Sequence, residues 1–199
     1  MTMATAQWDE SCLVAACLRG EEPAFSELVC RFQSKVHTVA ARFLGERDDI
    51  EEVAQDVFLA VFRGLPRFAG RASLGTWIYR ITVNHCLNRR KKRWFRLRRL
   101  TRSLHDASGE NAPSPGIDRI VSPRPNPEAV VLSRERIEHL SAALAALPSK
   151  FRMALILRDI EGLEYMEMAD VLGISVGTVK SRLNRGRTRL MRLLEEAEA

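Results

Sequence analysis

The sequence predicts an all-α chain, two small helical domains joined by a flexible linker, the second containing a helix-turn-helix. Three observations predict it. Apolar residues recur at the 3.6-residue helical period through nearly every structured stretch, and no strand-like alternation of useful length appears. Residues 101–127 carry five of the eight prolines with Ser, Gly, Asn and Asp and little periodicity, the composition of a tether and not of a core. Residues Gly162 to Leu194 look like two helices about a tight turn, the second basic and free of acid. The domains are accordingly placed at residues 8–98 and 128–196, with 99–127 between them. At 199 residues and 46% hydrophobic content, each domain can bury a modest core.

The elements follow in chain order. Cys12 and Cys17 fall on a short first helix. Phe25, Leu28, Val29, Phe32, Val36, Val39, Ala40 and Phe43 then make one long apolar face. Glu21 and Glu22 stand at its start, where acids complement the helix dipole, and Pro23 suits a first helical turn. Ile50, Val53, Ala54, Val57, Phe58, Val61 and Phe62 form the next stripe, ended by Gly64 and Pro66. Leu74, Trp77, Ile78, Ile81 and His85 form a third, opening near Ser73. Beyond the linker, periodicity resumes at Ile137, Leu140, Leu144 and Leu147, stops at Pro148, and resumes at Phe151, Ala154 and Leu155.

The last pair of helices carries the clearest chemistry. Tyr165, Met168, Ala169 and Leu172 give the first helix an apolar face. Gly173 can take the left-handed conformation that stops it, and Ser175 is a good N-cap for the next. Val176, Val179, Leu183, Leu190 and Leu193 are the expected buried stripe of the second helix. Lys180, Ser181, Asn184, Arg185 and Thr188 then point outward, and Ser175 to Arg192 holds six basic residues and no acids. A rigid pair presenting a positive, hydrogen-bonding face suits a DNA major groove.

Charge and cysteine usage narrow the function further. The net charge is +6, and it is clustered: Arg89 to Arg99 holds eight Lys/Arg in eleven positions, interleaved with Trp94, Phe95 and Leu97. Such clustering fits a polyanionic partner. Residues Asp48 to Asp56, by contrast, hold five acids and no base. The four cysteines, Cys12, Cys17, Cys30 and Cys86, show no C-x-x-C or finger spacing, so buried free thiols are expected and no metal site. No apolar run is long enough to span a membrane, and the N-terminus lacks the positive region of a signal peptide, so a cytoplasmic protein with no membrane insertion is expected. No nucleophile–base pairing, P-loop or metal spacing marks an enzyme, and no cofactor is called for.

Together these residues resemble one family, the extracytoplasmic-function sigma factors of bacterial RNA polymerase. DDIEEVAQDVFLAVFRGLPRF followed by SLGTWIYRITVNHCLNRRKKR resembles the family's N-terminal helical region. LPSKFRMALILRDIEGLEYMEMADVLGISVGTVKSRLNRGRTRL resembles its terminal helix-turn-helix domain. The resemblance implies binding to core RNA polymerase and promoter DNA, promoter melting, and commonly an anti-sigma partner. It implies a polymerase-binding surface at Asp49, Glu52, Gln55, Asp56 and Leu59. It implies a base-capturing loop within FAGRASL, at Arg71, Ala72, Ser73 and Leu74, for the downstream (−10-type) element. Thr76, Trp77, Arg80 and Asn84 follow on the next helix, with Arg89 and Arg90 opening the basic track for phosphates. It implies contacts to the upstream (−35-type) element from Ser175, Thr178, Lys180, Ser181, Arg182, Asn184, Arg185 and Arg187. The alternative is an ordinary helix-turn-helix regulator whose N-terminal domain senses a signal.

Overall fold

The computed structural model describes residues 8–45, 47–102 and 127–198. The linker expected at 99–127 lies outside them, apart from its two ends. All the regular structure among the described residues is helical: α1 (Glu10–Leu18), α2 (Glu22–Leu44), α3 (Arg47–Gly64), a 3₁₀ turn (Leu65–Arg67), α4 (Leu74–Arg102), α5 (Pro127–Ala146), α6 (Ser149–Leu155), α7 (Tyr165–Leu172) and α8 (Val176–Glu198). Between α6 and α7 the backbone widens into a π-type turn over Ile156–Ile160.

The N-terminal core lies among α2, α3 and α4. Leu28, Phe32, Val36, Val39 and Phe43 of α2 face Val53, Val57 and Val61 of α3 and Leu74, Ile78 and Cys86 of α4. At full burial each large aliphatic or aromatic side chain contributes about 1.5–3 kcal/mol, so this interface carries most of the domain's stability. Helix α2 starts with Pro23 in its first turn and stops at Gly45, which takes φ 82°. Helix α1 lies across the entry to α4, where the Glu10 carboxylate accepts the Leu74 N–H at 2.7 Å.

The sequence ends the third apolar stripe at His85, yet α4 runs on to Arg102. Its continuation is held by charge where apolar contact gives out. Arg89 donates to Asp49 Oδ1 at 2.6 Å and to both carboxylate oxygens of Glu52, and Arg93 reaches Asp49 at 3.7 Å. These pairs fasten α4 to α3 beyond the last apolar layer.

In the C-terminal domain, Phe151, Met153, Ala154, Leu155, Ile156 and Leu157 are all buried. Helix α8 crosses them at Gly186, where an added Cβ would stand 3.4 Å from both Leu155 and Phe151. Of the four apolar residues of the stripe before Pro148, Ile137 and Leu140 of α5 are exposed, while Leu144 and, just past the helix, Leu147 are buried. The cysteine expectation is also half right. Cys17 and Cys86 are buried, and burial pushes the Cys86 thiol up to about 12, but Cys12 and Cys30 are exposed.

The two domains pack against each other. Helix α4 meets α7, and α2 meets α5, α6 and the π-type turn. Tyr79 donates its hydroxyl to Glu161 Oε2 at 2.5 Å. Arg152, 2% exposed, reaches across from α6 and donates to the Phe43 carbonyl at 2.9 Å. Burial, with Arg90 nearby, presses its pKa down to about 9.

Candidate nucleic-acid interface

The C-terminal surface is built by a turn whose chemistry was visible in the sequence. Gly173 closes α7 in the left-handed region at φ 63°. Ser175 Oγ then accepts the Thr178 N–H at 3.3 Å and pairs with the Thr178 hydroxyl at 2.9 Å, capping α8. Ser175 and Thr178 thus spend their hydroxyls on each other and on the backbone. Val179 and Leu183 anchor α8 in the core, while Val176, Leu190 and Leu193 are only half-buried. The first helix of the pair buries Met168 and Val171 most deeply, Val171 being a core residue its sequence stripe omits.

With that face inward, Lys180, Ser181, Asn184, Arg185 and Thr188 are exposed along one side of α8, and Arg182 is half-exposed. Residues three and four apart share a helix face, so Lys180, Ser181, Asn184 and Arg185 form one patch. Lys180 also extends over the Tyr165 ring at 5.8 Å. Arg187 is exposed but paired, donating to Asp159 Oδ1 at 2.5 Å.

The N-terminal surface is built around the start of α4. Ser73 caps α4, its Oγ accepting the Thr76 N–H at 3.1 Å and pairing with the Thr76 hydroxyl at 2.9 Å. Leu74 and Thr76 are buried. Trp77 packs on Phe68 at 5.1 Å between centroids and against Gly64, where an added Cβ would stand 3.1 Å from the indole. Arg71 and Ser73 are exposed and Ala72 is half-exposed. With Phe68 and Gly70, Ala72 lines an open depression of about 480 Å³ whose other wall is α1, including Asp9 and Glu10. The Ser11 hydroxyl bonds Asp9 at 2.7 Å and lowers its pKa. No sequence signal had joined α1 to this loop.

Along α4, Arg80 and Asn84 are exposed. Arg89 is taken up by Asp49 and Glu52, which raise its pKa. Arg90 is half-buried, lies over the Phe43 ring at 5.6 Å, and has its pKa lowered by burial. On α3, Asp49 is 6% exposed and faces Arg89. Glu52, Gln55, Asp56 and Leu59 are exposed. Among the described residues no group of His, Cys, Asp and Glu is arranged to hold a metal ion, and no helix is long and apolar enough to cross a membrane.

Residues 28–96 match the model for sigma-70 region 2, and residues 137–190 match that for sigma-70 region 4. The chain is 36% identical over 182 residues to the ECF RNA polymerase sigma-E factor of Escherichia coli strain K12, covering 91% of this chain and 92% of that protein. It is also 36% identical over 168 residues to the ECF RNA polymerase sigma factor SigE of Mycolicibacterium smegmatis, covering 84% of this chain and 60% of that one. Among solved structures, CnrH in complex with the cytosolic domain of CnrY superposes with a TM-score of 0.64 at 26% identity, covering 94% of this chain and 97% of that one. The sigma factor RpoE of Bartonella quintana, in complex with the anti-sigma factor NepR, shares the fold with a TM-score of 0.63 at 23% identity, covering 86% of this chain and 96% of that one.

Proposed function

The chain belongs to the extracytoplasmic-function sigma factors, and from that premise we propose how its surfaces divide the work of promoter-specific transcription initiation. The observation that carries the reading is the pairing, in one chain, of a region 2 match and a region 4 match, each with an exposed hydrogen-bonding helix face. A regulator with an N-terminal sensing domain is not favoured, because residues 28–96 match region 2 where that domain would stand.

Helix α8 enters the major groove of the upstream element. Arg185 and Lys180 supply base or phosphate contacts, and Asn184 and Ser181 add hydrogen bonds; Arg suits guanine and Asn suits adenine. Arg187 positions the helix once it exchanges Asp159 for a phosphate. The downstream element is held as a single strand. Ala72 lines the depression against α1 that takes an unpaired base, the exposed Arg71 and Ser73 flank it in the chain, and Arg80 and Asn84 hold the strand beside it. Melting then needs no catalytic residue. Captured bases offset lost stacking, a few kcal/mol for each base.

Glu52, Gln55, Asp56 and Leu59 on α3 form the core-polymerase surface, a polar patch with one aliphatic residue at its edge. The protein acts in the cytoplasm, without cofactor or catalysis of its own. The folded relatives in complex with CnrY and NepR support an anti-sigma partner for this chain as well. Permanganate footprinting of a cognate promoter tests the scheme. Core polymerase with this chain should make start-region thymines reactive, and Arg80→Ala with Asn84→Ala should abolish that reactivity while polymerase binding persists. Unchanged footprints in the double variant would remove α4 from the melting step.

A further inference from the structure

Where the two domains meet, two arginines share one aromatic ring. Arg90 comes from α4 of the N-terminal domain and Arg152 from α6 of the C-terminal one. Their guanidinium carbons stand 5.6 and 5.8 Å from the centroid of the Phe43 ring, which is 1% exposed. Arg152 is 2% exposed and spends two nitrogens on backbone. Its Nη1 donates to the Phe43 carbonyl at 2.9 Å and its Nη2 to the Leu147 carbonyl at 3.4 Å. Its Nε is buried and meets no acceptor among the described residues, and the same holds for the buried Nη1 of Arg90.

Buried cations are ordinarily paired with an anion. Arg89 and Arg93 on α4 follow that rule, with Asp49 and Glu52 as partners. Arg90 and Arg152 have no carboxylate partner among the described residues. Burial lowers both their pKa values, and the neighbouring charge that adds to the effect is in each case another arginine: Arg93 for Arg90, and Arg90 for Arg152. A ring face and two carbonyls offer partial charge only. They recover part of what two desolvated cations lose, and not the whole.

The missing partner can be specified by its chemistry. A guanidinium holds an oxyanion through N–H···O bonds in a planar fork. Two guanidiniums carry two charges. A phosphate group above neutral pH supplies about two in return, whereas a carboxylate supplies one. Arg90 is only half-buried, so the pair is not sealed from solvent.

We propose that Arg90 and Arg152 form a binding site for a small phosphate dianion at the domain junction, with one cation from each domain. The bound anion joins α4 to α6 and reinforces the contact that Tyr79 and Glu161 make between the same domains.

Isothermal titration calorimetry of the full chain tests this, with inorganic phosphate as the probe in chloride buffer at about pH 8 and constant ionic strength. The parent should bind one saturable equivalent. Arg90→Met loses the guanidinium and keeps an apolar stem over Phe43. It should weaken phosphate binding about tenfold or more, the loss of a hydrogen bond to a charged group. Arg152→Met should do the same from the other domain. It also gives up the bond to the Phe43 carbonyl, so its helical content is checked first by circular dichroism, and Arg90→Met decides alone if Arg152→Met does not fold. Arg67→Met, at an exposed arginine elsewhere in the N-terminal domain, should bind like the parent. Acetate and dimethyl phosphate, each with a single charge, should bind at least about tenfold more weakly than phosphate. No saturable phosphate binding by the parent would overturn the proposal, as would unchanged affinity in Arg90→Met or an equal loss in Arg67→Met. Acetate binding as tightly as phosphate would assign the pair to a carboxylate instead. Dimethyl phosphate binding as tightly would assign it to the DNA backbone, and either result overturns the phosphate site.

Discussion

Replacing Arg89 by Met would test whether this arginine serves α3 or DNA. The substitution keeps the aliphatic stem and removes the guanidinium. Asp49 is 6% exposed and would keep only Arg93, at 3.7 Å. Removing one member of a buried ion pair costs about 3–5 kcal/mol. Two features reduce that figure. Glu52 is more than half exposed and regains water on losing its partner, and Arg93 can move toward Asp49. A cost of about 2 kcal/mol remains, which for a chain of this size lowers the melting temperature by about 4–8 °C. Circular dichroism melts of parent, Arg89→Met, Asp49→Asn and the double variant make a complete cycle. The double variant should cost less than the sum of the singles by about 1–2 kcal/mol, because each single leaves a partner stranded. DNA affinity at a temperature where all four are folded should stay within twofold. An Arg89→Met chain that melts like the parent but loses promoter affinity would refute the clamp and return Arg89 to the phosphate track.

Arg185→Ala and Lys180→Ala should each weaken upstream-element binding while leaving core-polymerase affinity intact; a lost bidentate contact at Arg185 is worth about 1–3 kcal/mol, measured by anisotropy on a duplex probe. Gln55→Ala with Asp56→Ala should lower affinity for core polymerase in a pull-down without changing the melt, since both side chains are exposed on α3. Tyr79→Phe removes a hydrogen bond to a carboxylate and should cost about 1.5–3 kcal/mol at neutral pH. It should also change the alkaline limb. Burial and Glu161 raise the Tyr79 pKa above its ordinary 10.0, so the unfolded chain gives up this proton first. The Tyr79 contribution is therefore complete below about pH 10 and declines as pH rises above it. Cys86 acts with the same sign from pH 9 upward in both chains, so the difference between the parent and Tyr79→Phe isolates the tyrosine. Urea melts between pH 9 and 11 should show the steeper fall in the parent.

What was legible in the sequence was local. The apolar stripe of α2, that of α3 apart from the exposed Phe62, the opening of α4 near Ser73, and the Gly173–Ser175 turn all depend on neighbours within a few residues, and the structure has them where the pattern put them. The outward face of α8 followed from the same periodicity. What was hidden was long-range. The continuation of α4 past His85 rests on pairs between residues 37 and 40 positions apart, which no periodicity records. The burial of Arg152 inside an apolar run needs a carbonyl 109 residues away, and the Tyr79–Glu161 bond spans 82. Leu74 turns inward as its stripe predicts, but Thr76 lies off that stripe, and only the packing of α4 decides that it is buried. The same packing brings Asp9 and Glu10 to the loop depression, a wall with no motif of its own.

The central claim is that this chain directs core RNA polymerase to promoters. Run-off transcription measures it most directly, with purified core enzyme, a cognate promoter template, and the chain as the only added factor. The account predicts no specific transcript from core enzyme alone and a discrete run-off product when the chain is added. That product should vanish with Arg185→Ala/Lys180→Ala and with Gln55→Ala/Asp56→Ala, through loss of DNA and of polymerase respectively. A chain that binds the promoter duplex yet yields no transcript with core enzyme would contradict it.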